Sequence, residues 1–567
     1  MTNDVKETRL TSILFLGSLV VTLLITDRIG TDPVNVGKMV AVCTLGFSVI
    51  AFYEFKAFFS SIFIKILLAL LLIFNVSLFS SAVFSNNTFE RGLYGAFGRN
   101  TGALTYLSLS LVFISCLFIT KVINFSKIIR SLFYCGILNV IYCLFASTGN
   151  DIFSWENQFN AILGTFGNPN FIGAFMGIFL TLLAVQMMDL WHRKSALAIF
   201  SIMFILASYV LWLSSALQGT AIMAVGIALG IYLKIRTSVK WNKIGMPYLL
   251  LLLIIGIISL LGVINKGPLS PYLYKTSVTF RWEYWKAGIN MATSSIFSGI
   301  GIDSYGANYR LFRDASAVKF PGVDVTTDTA HNVVIDIWAG AGIVAMISYL
   351  AVNLMILVIC VRFIKSNRIF DPVFSSLFLC WLSWQLQSLV SINQIGLAIW
   401  GWLLGGLLVS YILKFPGGNS VSVLQVRQHS RVKIKGKLKV EPQMLEPKVL
   451  LKIIAFSLIG FFTALPPFIA DAKMRPTYLG KSDVEQIIKL AETWPLDSTR
   501  INRLTVILAQ NGDIQRAAYL AAFATQKFPN DFTGWKALYD LSPENSPQKK
   551  AYKSKLQFLD PRNPEWQ

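Results

Sequence analysis

The chain has 567 residues, 54% of them hydrophobic and only 14% charged, with a net charge of +21. A soluble protein this poor in charge would expose large apolar patches, so a water-soluble globular fold is excluded. The basic balance does not point to nucleic acid, because the positive residues follow the loops of a membrane topology.

In chain order, apolar runs long enough to cross a bilayer fall near residues 10–25, 36–55, 62–79, 103–120, 128–147, 171–188, 197–213, 216–233 and 246–264. They continue near 333–361, 373–390 and 395–413, and a thirteenth follows near 449–470. The first lacks a small-residue cleavage site and reads as a span rather than a signal peptide. With the N-terminus inside, the inner segments hold 25 of the 50 Lys and Arg, whereas the short outer loops hold only Arg28, Lys38, Arg91 and Arg99. Seven more lie in the long outer loop 265–330 and fourteen in the tail from Asp471, segments long enough to escape the bias. The expected orientation is therefore N-terminus inside and C-terminal tail outside. The six cysteines all fall within these spans and read as small apolar core residues, neither disulfides nor metal ligands.

The fold class is thus an all-α polytopic transmembrane bundle, about twelve spans plus one, with a small C-terminal helical-repeat domain. Four segments are expected: a membrane domain 1–414, a basic linker 415–448, a last span 449–470 and a tail 471–567. The linker's Arg431, Lys433, Lys435, Lys437 and Lys439 suit either an inner-surface topology anchor or contact with anionic headgroups. In the tail, Trp494-Pro495-Leu496-Asp497-Ser498-Thr499 recurs in kind as Phe528-Pro529-Asn530-Asp531-Phe532-Thr533, a shift of 34 residues, and Asp560-Pro561-Arg562-Asn563-Pro564 echoes it again. That period resembles tetratricopeptide repeats, which bind partners or brace a neighbour. The tail has no titratable cluster and is expected to be separable from any chemistry.

Charges at membrane depth are few, and most sit near inner ends, which weighs against an ion-coupled transporter. Unusual polar residues gather instead at outer ends. They include Arg91, the stretch Gly98-Arg99-Asn100-Thr101-Gly102, the turn at Ser214-Ser215-Ala216-Leu217-Gln218-Gly219, and Asp336 within the tenth span. Asn168 reads as a helix cap with Pro169 in the first turn. His331, where the long loop returns to the membrane, suits either an interfacial cap or a functional residue, and Arg281 either a snorkelling cation or a ligand for an anion. Trp282 and Trp285 suit interfacial anchors. Asp324 and Asp328 are the nearest approach to a cation site, and no metal or cofactor is expected.

The set Gly167-Asn168-Pro169-Asn170-Phe171, Arg281 with Trp285, Gly299-Ile300-Gly301 and Ala330-His331-Asn332 resembles the O-antigen ligase and polymerase superfamily across roughly residues 10–414. The resemblance implies a GT-C-like bundle in the cytoplasmic (inner) membrane of a bacterium. It implies a glycosyltransferase that moves a glycan from a polyprenyl diphosphate carrier to an acceptor hydroxyl at the outer face. The acceptor is a glycan, lipid or protein, so protein O-oligosaccharyltransfer is an alternative, and a glycolipid transporter or scaffold is another. It implies His331 as the base that activates the acceptor and Arg281 as the arm on the diphosphate; Arg99, Asn168, Asn170, Gln218, Trp285 and Asn332, at the same outer face, are expected near substrate. Where that family commonly carries a second arginine before a glycine, this chain has Gln218, which brings no charge; Arg99 is the candidate replacement. Membrane lipids, and a protein partner on the repeats, complete the expected partners, with no nucleic acid among them.

Overall fold

A computed structural model describes residues 3–54, 61–85, 87–153, 157, 159–418 and 446–567. Ser422 and the five basic linker residues lie outside the described residues. Among those described there is no strand, and ten helices are long and apolar enough to cross a membrane. The protein is a multi-pass helical membrane protein. Three expected spans are helices of a different kind. Asn3–Leu23 opens with Asp4, Lys6, Glu7 and Arg9, Ala103–Cys116 has 14 residues, and Pro372–Ser388 has 17.

Burial sorts the helices. Pro169–Leu190 and Ile395–Lys414 are buried almost all round, as helices at the centre of a bundle must be. Asn242–Val263 is scarcely buried and turns Leu250, Leu253, Ile257 and Leu260 outward, the composition of a lipid-facing wall. Small residues set the closest crossings. A Cβ on Gly177 of Pro169–Leu190 would meet the Gly219 carbonyl at 2.5 Å, and one on Gly46 would meet that of Ser108 at 2.6 Å. In lipid the apolar effect does not drive helices together, so this close packing carries the association. All six cysteines are buried and free.

The helix Val333–Ser366 is broken at Gly342, whose φ of 81° suits glycine alone. The gap is filled by the long loop. Ile300 donates to the Ala339 carbonyl at 2.8 Å, Gly301 to that of Gly340 at 3.1 Å, and Ile343 to that of Ile296 at 2.8 Å. Gly299-Ile300-Gly301 is therefore a backbone splint, and at Gly299 a Cβ would meet the Gly340 carbonyl at 2.4 Å, an approach only glycine permits.

The last expected span runs well past its expected end. Pro447–Tyr478 is one helix of 32 residues, about 48 Å at the α-helical rise, so it projects beyond a hydrocarbon core of about 30 Å and carries the tail with it. The tail's own helices begin at Val484, and two of them, Ser498–Gln510 and Phe532–Leu541, start 34 residues apart. Asp497 and Asp531 cap these two by accepting from Arg500 N at 2.9 Å and Gly534 N at 3.3 Å.

The tail is fastened to the bundle at three places. Asp471 accepts from Thr31 N at 2.9 Å and Arg475 donates to the Gly30 carbonyl at 3.0 Å. Trp494 stands edge-on to Tyr94 at 5.7 Å and donates to Glu90 at 3.2 Å. At the far end Arg313 and Asp560, both with wholly buried side chains, pair at 2.7 Å, and Arg310 joins at 3.0 Å. Removing one charge of a buried pair strands the other, at a cost of about 3–5 kcal/mol. Asp560→Asn is therefore expected to loosen the tail, read as faster tryptic release and a lower melting temperature. Replacing Arg313 and Asp560 together by methionine should restore most of the loss. Unchanged protease resistance in Asp560→Asn would show that the pair is not a fastening.

Candidate functional site

Three segments far apart in sequence meet at the end of the bundle that carries the tail. The first is the turn after Tyr94. Asp303 accepts from Ala96 N at 2.8 Å and Thr101 N at 3.2 Å, and so fixes the turn that presents Arg99. Arg99 then grips Asp328 in a two-pronged contact at 2.7 and 2.9 Å. Burial pushes the Asp328 carboxyl up, but Arg99 beside it wins and holds it below the usual carboxylate range.

The second is the approach to the broken helix. His331 has a φ of 53°, an uncommon conformation for a non-glycine residue. Three neighbours hold it there. Asp336 accepts from Ala330 N at 2.7 Å, Thr329 Oγ1 from His331 N at 3.2 Å, and Asn332 Oδ1 from Val334 N at 3.0 Å. Asn332 also donates to the Leu389 carbonyl at 3.0 Å. Its amide is thus engaged in capping and bracing.

The third is the helix Thr276–Ser294 of the long loop. Arg281, Tyr284 and Trp285 share one face by their three- and four-residue spacing. Tyr284 stacks on the His331 ring, with centroids 5.6 Å apart and planes 26° from parallel. Its carbonyl accepts from Tyr305 at 2.5 Å, which ties the helix to Tyr305–Phe312. Three other cations of the loop are in ion pairs, Lys286 with Glu283 and Asp314, and Arg310 and Arg313 with Asp560. Arg281 differs. Among the described residues it has no carboxylate within ion-pair distance, it reaches only Ser277, and its buried Nε has no partner.

The electrostatics follow from these neighbours. Burial lowers the His331 pKa to about 4, Arg281 and Arg99 reinforce the shift, and Asp328 opposes it. The imidazole is therefore neutral at physiological pH, and it stays neutral well below the pH of about 6.5 at which an unperturbed histidine gains its proton. Burial also lowers the pKa of Arg281, which an arginine absorbs without losing its charge.

The remaining expected residues form a neighbouring patch or a support. Gln218 donates to the Asn170 carbonyl at 2.7 Å, and Asn168 caps its helix by accepting from Asn170 N at 2.9 Å. Lys275, next to the Arg281 helix, donates to the Ser215 carbonyl at 3.2 Å and so ties this patch to the loop. Arg99, the candidate replacement for a missing second arginine, is already engaged by Asp328. Trp285 packs into the Tyr284–Tyr305–Tyr309 cluster with its indole N–H buried and unpartnered. Tyr284 and Asp303 escaped sequence reasoning. The only signal for Asp303 was a lone carboxylate two residues after Gly299-Ile300-Gly301.

Over His331 and Tyr284 opens a cleft of about 1200 Å³, bounded on the bundle side also by Arg91, Phe97 and Asp328. Its opposite wall is the tail, including Tyr478, Asn502 and Val506. The tail's fastenings thus bring the repeats over the cleft that holds His331. No family model and no curated protein matches the chain.

Proposed function

We propose that this protein transfers a glycan from a polyprenyl diphosphate carrier to an acceptor hydroxyl, at the outer face of a bacterial inner membrane. The observation that carries the reading is a half-buried arginine with no carboxylate partner among the described residues, Arg281, whose field reaches an imidazole kept neutral, His331. The resemblance in Gly167–Phe171, Arg281, Gly299–Gly301 and Ala330–Asn332 points the same way.

The chemistry balances with few parts. The acceptor oxygen forms a bond to the anomeric carbon, and the bond from that carbon to the diphosphate oxygen breaks. The electron pair leaves on the diphosphate, held by Arg281, and the hydroxyl proton passes to His331. Diphosphate needs no protonation to leave, so a base and a cation suffice. Donor binding also prepares the base. An anionic diphosphate beside Arg281 cancels the positive field that depresses His331, so the imidazole becomes more basic once the donor is in place.

The sign of the pH dependence follows. In the free enzyme His331 loses its function as pH falls through about 4, so the acid limb of kcat/KM lies there. The acid limb of kcat, which reports the donor complex, lies at higher pH. Arg281→Gln removes a depressing charge and should move the kcat/KM limb upward. A limb near pH ~6.5 in the unmodified protein, with no response to Arg281→Gln, would take His331 out of the reaction.

Orientation is tested by single cysteines. Those at Ser270 and Asn545 should react with an impermeant thiol reagent in spheroplasts, and one at Ser422 should not. The reverse pattern would put the cleft on the inner side. The function itself is tested with purified protein in liposomes and a labelled polyprenyl diphosphate oligosaccharide. Label should leave the carrier, with free polyprenyl diphosphate appearing in equal amount. Donor recovered intact in the opposite leaflet would mean transport instead.

A further inference from the structure

At the end of the bundle opposite the tail, three helix ends meet around an open notch. Leu217–Thr237 and Val333–Ser366 finish there, and Pro372–Ser388 begins there. Leu233, Phe363, Ile369 and Phe370 form its apolar walls, and Arg236 and Asn367 line it with polar groups. Trp191 and Trp241, 62% and 50% exposed at the same end, mark the level of the lipid headgroups, where indoles settle.

The notch is cationic. Residues 231–245 bring Lys234, Arg236, Lys240 and Lys243, and residues 361–371 bring Arg362, Lys365 and Arg368, against one carboxylate, Asp371. That carboxylate is occupied, accepting from Phe374 N at 2.9 Å and from the Tyr411 hydroxyl at 2.7 Å. Lys234, which feels Asp189 of the neighbouring helix, lies over the Phe370 ring at 4.3 Å.

Two groups have donors to spare. Arg236 donates to the Asn367 and Lys365 carbonyls, each at 2.9 Å, which uses two of the five N–H groups of a guanidinium. Asn367 is 7% exposed, its Oδ1 accepts from Ile369 N at 3.1 Å, and its Nδ2 is buried with no partner. A buried donor left in this state calls for an acceptor from outside the chain.

The shape of the notch selects the source of that acceptor. Its enclosed part is about 20 Å³, room for one oxygen atom, whereas a small ligand is enclosed by ~300–1,000 Å³. A free anion would therefore be held mainly by solvated side chains. A lipid phosphate would set one oxygen by Arg236 and Asn367 and leave its remaining charge to exposed Arg368. Its chains would lie on Phe370 and on Ile369, which is 51% exposed.

We infer that this notch binds the headgroup of an anionic phospholipid from the leaflet at the end of the bundle opposite the tail. The lipid clamps the last turn of Leu217–Thr237 to the turn between Val333–Ser366 and Pro372–Ser388. The site lies at the other end of the bundle from His331 and Arg281 and is independent of the transferase reading.

The test uses full-length protein, delipidated in a neutral detergent and titrated with dioleoyl phosphatidylglycerol, dioleoyl phosphatidylcholine or inorganic phosphate. Bound lipid is counted by native mass spectrometry, and stability is read as the melting temperature. Phosphatidylglycerol should stay bound and raise the melting temperature, as a ligand of the folded state does. Phosphatidylcholine and inorganic phosphate should do neither. Arg236→Gln should weaken phosphatidylglycerol binding roughly ten- to a hundredfold. Arg368→Gln, an exposed change that spares the fold, should weaken it about fivefold. Lys194→Gln, exposed at the same end on another helix, should bind normally. An equal response to phosphatidylcholine would remove charge recognition, and an equal response to inorganic phosphate would put a free anion in the notch. Affinity unchanged in both arginine variants, or lowered as much by Lys194→Gln, would mean diffuse attraction to a basic face. Any of these results overturns the inference.

Discussion

His331→Ala is expected to lower turnover by about 10²–10⁴ while donor binding persists, the range set by loss of a general base. The side chain stacks on Tyr284 and makes no ion pair among the described residues, so its removal leaves the diphosphate arm intact. The turn that holds it is built from Asp336, Thr329 and Asn332, so the fold should tolerate alanine apart from the strain of a positive φ. His331→Asn controls for that strain, because asparagine accepts the left-handed conformation more readily. A His331→Asn protein that binds donor and turns over normally would end the base assignment. His331 would then be an interfacial cap, and Asp328 the nearest remaining carboxylate to consider.

Arg281→Ala should have the second large effect, and of a different form. Its proposed partner is the diphosphate, present before and during reaction, so donor binding and turnover should both fall. Losing a charge-assisted contact to phosphate is worth about 1.5–3 kcal/mol, or roughly ten- to a hundredfold in donor affinity. Arg281→Lys should recover only part of this, because an ammonium lacks the planar fork. Gln218→Ala, which removes a neutral side chain already bonded to the Asn170 carbonyl, should cost only a few-fold. Equal damage from Gln218→Ala and Arg281→Ala in donor-binding isotherms would transfer the diphosphate to the Gln218 patch.

The bundle was legible because an uncharged apolar run of about 20 residues, repeated many times along one chain, is at home only in lipid. The differences at Asn3–Leu23, Ala103–Cys116 and Pro372–Ser388 arise where tertiary burial tolerates a shorter or more polar helix. His331 and Arg281 were singled out by the resemblance, and His331 also by its place where the long loop returns to the membrane. The pairings around them were not. Arg99 and Asp328 are 229 residues apart, and Arg313 and Asp560 are 247 apart. No local pattern records such pairings, and with them went the position of the tail. The repeat period was legible, but which stripe of Ser498–Gln510 faces the bundle depends on those distant fastenings. Gly299-Ile300-Gly301 was noticed as a motif, while its splinting of the break at Gly342 is a backbone pairing that side-chain patterns do not encode.

A base acting directly on the acceptor hydroxyl implies a single displacement, and therefore inversion at the anomeric carbon. A glycosyl-enzyme intermediate would pass through two displacements and retain configuration. The decisive measurement is the anomeric configuration of the new linkage, read by nuclear magnetic resonance on product made by purified full-length protein from a donor of known configuration. Inversion, with product lost in His331→Ala, is the result the His331–Arg281 site predicts. Retention would contradict it, and would require a carboxylate such as Asp328 to leave Arg99 and attack the donor first.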